Sequence, residues 1–130
     1  MENTESEETG RKPIDVSWAA GYIDGEGCFL MGSTPVIVVE STCRTTIENL
    51  YKILGGRCQS VNRKTANGRP VFKWLASSAE ALELCSILTP HLKDKKEQAL
   101  LLSTIYDYPP RSAKRESIIR RLKNLKRVSL

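Results

Sequence analysis

The chain has 130 residues, 40% apolar and 27% charged, with a formal net charge of +5. That length fits one domain with a real core, and the balance is ordinary for a soluble globular protein. No apolar run approaches the ~18 residues a membrane span needs, and residues 1–12 are acidic with no apolar stretch, so they do not read as a secretory signal. An intracellular location (cytoplasm, nucleoid or organelle) with no membrane partner is expected.

The charge is uneven. The first ten residues hold Glu2, Glu5, Glu7 and Glu8 and no cation, which leaves twenty Lys and Arg against eleven acids, or +9, in the remainder. A basic body of this size points to a polyanion, most simply nucleic acid. Cys28, Cys43, Cys58 and Cys85 contain no CxxC pair, and His91 is the only histidine. This is poor material for a zinc site or a His-assisted nucleophile. The cysteines read as reduced thiols, some of them in the core.

In chain order, residues 1–12 read as a disordered acidic leader. A helix opens at Pro13, with Asp15 or Ser17 as cap candidates, and runs to about Asp24. Cys28 to Met31 reads as a strand, Gly32 to Pro35 as a turn, and the β-branched run Val36 to Glu40 as a second strand. Thr42 is expected to cap a helix whose Ile47, Leu50, Ile53 and Leu54 recur at helical spacing, and Gly55-Gly56 stops it. Arg57 to Lys64 and Val71 to Leu75 read as a hairpin around Ala66-Asn67-Gly68. Ser77 or Ser78 caps a third helix, and Pro90 marks a break. A helix follows from Leu92 to about Tyr106, ended by Pro109-Pro110. Ser112 to Val128 reads as an amphipathic basic helix, with eight cations between Arg111 and Arg127 against the single acid Glu116. The expected organisation is a leader over 1–12, a core domain over 13–108 and a basic helix over 109–130. Two successive helix–strand–strand units argue for an α+β fold with an antiparallel sheet.

The stretch Ala19-Ala20-Gly21-Tyr22-Ile23-Asp24-Gly25-Glu26-Gly27 is the centre of the chain's organisation. Gly21 and Gly25 are four apart and share a helix face, a spacing that permits close helix–helix approach. Gly25 and Gly27 bracket Glu26 where the helix would stop. A helix ending on a carboxylate can deliver it to a fixed point, and fixed carboxylates bind hard cations. The nine residues resemble the LAGLIDADG motif of the homing endonucleases, with Ala19, Tyr22 and Glu26 in place of Leu, Leu and Asp. The element order also matches, and His91 to Ala99 looks like the lysine-bearing helix start of that family.

The resemblance implies a homing-endonuclease-like αββαββα core with a four-stranded antiparallel DNA-binding sheet plus C-terminal helices. It implies a site-specific, metal-dependent double-strand DNA endonuclease of the kind carried by introns and other mobile elements. Such an enzyme would act as a homodimer on a long, roughly palindromic duplex site, with Mg2+ as cofactor, two or three ions per dimer site. Glu26 is then the catalytic metal carboxylate, with the Gly25 carbonyl able to face metal. Lys95 is the lysine assisting at the phosphate, with Lys96 its rival. Ala19, Ala20, Gly21, Tyr22, Asp24 and Gly25 would form the dimer interface, with Asp24 bracing the partner motif helix. Strand alternation places Arg57, Gln59 and Arg63 on one face with Lys73 as DNA contacts, and Arg44 and Lys96 are further candidates. Phe72 and Trp74 then point into the core. The first hairpin would present Leu30, Val36, Val38 and Glu40, a weakly polar surface for DNA. The alternative is a non-cutting nucleic-acid binder on the same fold, either an RNA maturase or a regulator.

Overall fold

The computed structural model describes residues 11–128, with side chains to Lys126, so the acidic leader falls largely outside the described residues. The elements are α1 (Pro13–Glu26), β1 (Gly27–Met31), β2 (Pro35–Ser41), α2 (Arg44–Leu54), β3 (Arg57–Lys64), β4 (Pro70–Ser77), α3 (Ser78–Leu88), α4 (Lys96–Ser103) and α5 (Ala113–Val128). Short 3-10 turns lie at Thr89–His91 and Ile105–Asp107. The four strands form one antiparallel sheet in the order β1-β2-β4-β3. The fold is thus α+β, as the two helix–strand–strand units require. Among the described residues no helix is long and apolar enough to cross a membrane.

One core forms between the sheet and the helices. Phe29, Ile37, Val39, Trp74 and Ala76 from the strands meet Ala20, Ile23, Ile47, Leu50, Leu84, Leu88 and Leu102 from the helices. Trp74 is fully buried, and its indole N–H donates to Gly55 O at 2.7 Å. That satisfies the one polar atom such a residue carries inside. Helix α5 packs into this same core through Ile118 and Leu122. Cys85 lies in it too, and burial pushes its thiol up to about 12, so it is a packing residue.

Several element ends differ from the sequence reading. The cap position of α1 is Lys12 with Pro13 directly after it, rather than Asp15 or Ser17. Proline is pre-set for the first helical position and lacks only an N–H that would be unpaired there. Arg11 anchors this entry, donating to Ile53 O at 2.9 Å and Leu54 O at 3.2 Å, carbonyls that the end of α2 leaves without helical partners. Cys43, not Thr42, occupies the cap position of α2. The largest difference is α4, which starts at Lys96 rather than Leu92 and ends at Ser103; its cause lies in α1.

Candidate functional site

Helix α1 carries apolar residues on both sides. One side is the core: Val16, Ala19, Ala20 and Ile23 are buried, Ala19 and Ala20 with no exposed surface at all. The other side carries Ile14, Trp18, Gly21 and Gly25, spaced four, three and four apart along one helix face. Ile14 is 74% and Trp18 41% exposed, and both glycines are exposed. A Cβ built on Gly21 or Gly25 meets nothing within 4 Å. Neither glycine is demanded by packing among the described residues, although each costs a helix stability relative to alanine.

This geometry corrects the expected interface set. Ala19 and Ala20 are spent on the chain's own core and have no surface left for a partner. Tyr22 is half-buried; its ring lies 5.8 Å from that of Trp18, and its hydroxyl donates to Ser41 Oγ at 3.4 Å. Ile14 and Trp18 are instead the large apolar residues that α1 leaves exposed.

The C-terminal turn of α1 is where the chain brings its candidate groups together. Asp24 is half-buried and braces its own chain. Its carboxylate accepts the backbone N–H groups of Lys93 and Asp94, each at 3.1 Å on Oδ2, and of Lys95 at 2.8 Å on Oδ1. These donors lie just ahead of α4, so Asp24 acts as a helix cap supplied from about seventy residues away. That is why α4 begins at Lys96. In return Lys95 Nζ donates to the main-chain carbonyl of Asp24 at 2.6 Å, an orphan carbonyl of the last turn of α1. Partial burial alone would push the Asp24 carboxyl up. The three backbone donors and the Lys95 charge outweigh it, and the group sits below its ordinary value.

Glu26 is the last helical residue and is exposed. Gly27, which follows, is fixed by close packing. A Cβ there would lie 2.8 Å from Ile23 Cγ2 and 2.9 Å from Ile23 O, so only glycine lets the chain turn straight from α1 into β1. Glu26 and Lys95 are thereby joined through one residue, Asp24. Among the described residues, no group of three or more His, Cys, Asp or Glu converges as a metal cage.

The open face of the sheet runs in register across the strands. One row is Leu30, Val36 and Ser77; the next is Cys28, Val38, Leu75 and Arg57; the third is Glu40, Lys73 and Gln59. The expected DNA contacts Arg57, Gln59 and Lys73 therefore do share a face, with Phe72 and Trp74 on the other. Arg63 joins them by pairing with Glu40 across the face, and Arg57 donates to Ser77 Oγ at 3.4 Å. Arg44, on α2, pairs with Glu48 at 3.3 Å and lines a pocket together with Gln59, Ser60 and Phe72. Lys96 is exposed at the first turn of α4.

Fold and face together define an α+β protein with a four-stranded antiparallel sheet backed by helices, and solved structures of this architecture exist. The homing endonuclease I-CvuI in complex with its target Sro1.3 in 2 mM Ca superposes with a TM-score of 0.65 at 21% identity, over 86% of this chain and 82% of that one. The same enzyme with an I-CreI target in 2 mM Mg, its DNA not cleaved, gives 0.60 at 22%, over 89% and 80%. The archaeal intron-encoded homing endonuclease I-Vdi141I, complexed with DNA, gives 0.70 at 14%, over 86% and 84%. No protein-family model and no curated protein matches the sequence.

Proposed function

We propose that the protein is a site-specific, divalent-metal-dependent endonuclease for double-stranded DNA, working as a homodimer on a long, roughly palindromic site. The observation that carries this reading is the joint at the end of α1, where Asp24 fixes Lys95 and the exposed carboxylate of Glu26 follows two residues on. Glu26 and the Gly25 carbonyl are hard oxygen donors of the kind Mg2+ takes, but one chain holds too few of them. A second copy would supply the rest. The Ile14, Trp18, Gly21 and Gly25 face offers apolar area and close approach, and its glycines have no other use. Two Glu26 carboxylates brought near a two-fold axis, with DNA phosphates and water, would complete the shells of two or three ions. A metal bound there would make the attacking water more acidic and neutralise charge on the leaving oxygen. Lys95, held on the Asp24 carbonyl two residues before Glu26, would offer a positive charge for stabilising developing phosphoryl charge. Arg57, Gln59, Lys73 and Arg63 lie on one antiparallel ribbon of the kind that fits the major groove. That the structural neighbours are complexes with DNA supports the same substrate class.

The test is to join the DNA segments flanking the gene, and to incubate that uninterrupted duplex with the full chain and Mg2+. A double-strand break at the junction is the expected product. A non-cutting nucleic-acid binder remains the second reading, favoured by the apolar half of the sheet face. Tight binding with no nick or break on any duplex would select it.

A further inference from the structure

The open face of the sheet is divided along its rows. Toward the tip of the first hairpin it carries Leu30, Val36, Val38 and Leu75; toward the other end it carries Glu40, Lys73, Gln59 and Arg63, with the Val61–Val71 pair beyond them on β3 and β4. The apolar members are partly exposed, and none of their side chains can donate or accept a hydrogen bond. The two halves are continuous, so a duplex lying against Arg57, Gln59 and Lys73 also lies against Val38 and Leu75. At the β1 edge, Leu30 shares a groove with Ile119, Leu122, Lys123 and Lys126 of α5. Neither lysine has a carboxylate partner among the described residues, whereas Arg121 of the same helix pairs with Glu97 at 3.0 Å.

On the reading that this face binds duplex DNA, we infer that Leu30, Val36 and Val38 read thymine methyl groups, and that Lys123 and Lys126 hold the backbone alongside. The chemistry leaves one choice. Every polar group on the floor of the major groove needs a hydrogen-bonding partner, and a hydrocarbon set against it costs binding. The one apolar feature there is the thymine C5 methyl, on which aliphatic side chains pack. The apolar half of the face is therefore a discriminating surface: it prefers T and penalises G·C pairs through the unpaired donors and acceptors these would leave. The phosphates flanking such a tract need cations, and the sheet offers none next to Leu30. The ammonium groups of Lys123 and Lys126 stand at that edge.

The experiment selects duplexes from a randomised library with the full chain in Ca2+, and then measures affinity for the winner with thymines replaced one at a time by deoxyuridine. Selected sites should carry thymines under the first hairpin, and each methyl removed there should weaken binding about fourfold, the equilibrium equivalent of ~0.8 kcal/mol for one buried carbon group. Deoxyuridine elsewhere should change nothing. Val38→Asn, checked for folding by circular dichroism, should abolish the methyl effect, while the milder Val36→Thr should only reduce it. The double variant Lys123→Ala/Lys126→Ala should lower the slope of log affinity against log salt by about 0.9 for each phosphate no longer neutralised. Selected sites with no thymine preference on that side, or deoxyuridine without effect, overturn the inference while leaving the proposed function standing. If no duplex is enriched at all, the proposed function fails and the inference with it.

Discussion

The two sides of α1 are built of similar residues and answer to different partners. At Gly27 an added Cβ would strike Ile23 at 2.8 Å, and Asp24 close by has its carboxylate bonds met from within the chain. On the outer side Gly21 and Gly25 face open space, and Trp18 and Ile14 lie bare. The inner glycine is explained by the fold. No packing among the described residues explains the outer ones, and on the proposed function a second copy does. A small residue is thus no sign of an interface by itself; Gly21 and Gly25 differ from Gly27 in having nothing against them, and from the equally open Gly68 in lying within a helix rather than at a positive φ.

Substitutions can break or sharpen this contrast. The largest effect belongs to the group between the two sides. Glu26→Gln should lower cleavage by more than about 100-fold, since even outer partners of metal ligands cost 10–100-fold when removed, with duplex affinity in Ca2+ nearly unchanged; gel-shift and cleavage assays on one duplex check both. Lys95→Gln removes a fixed charge and should cost about 100-fold in kcat, read from single-turnover rates. Gly27→Ala overpacks the inner side and should destabilise the chain by about 1–3 kcal/mol, visible as a lower urea midpoint. Gly21→Ala has the opposite sign: with open space around it, it should stabilise the isolated chain by roughly 0.5–1 kcal/mol while weakening self-association in sedimentation. Stabilisation with unchanged association would show that the outer face is no seam.

The smallest effect is on the pH dependence of stability. Asp24 titrates below its ordinary value when folded, so its contribution is fully present above the ordinary carboxyl range and is lost as pH falls through the folded value. Asp24→Asn should therefore melt lower than the natural chain near neutrality, the two curves converging in acid. A constant gap at all pH values would mean that the three amide bonds to its carboxylate do not act through charge.

Much of this architecture is legible in the sequence. The β-branched run of β2 and the Asn67-Gly68 turn are local signals, and the elements they predict are present. Leu30, Val36, Val38 and Glu40 fall on one face because strands alternate, and the register bears that out. Glu26 and Lys95 are legible only through a motif, and the structure brings their neighbourhoods together through Asp24. What escapes is tertiary. The start of α4 cannot be read from residues 92–96, because its cap is an aspartate on another helix. The inward turn of Ala19 and Ala20 is hidden for a different reason: α1 is apolar on both sides, so its pattern does not say which side faces home.

On the proposed function, one chain carries half of a site. The most direct measurement is the mass, by native mass spectrometry, of the complex formed in Ca2+ on a duplex that the protein cuts once Mg2+ is supplied. Two chains per duplex are expected. One chain per duplex, on DNA that is then cleaved in both strands, would contradict the claim.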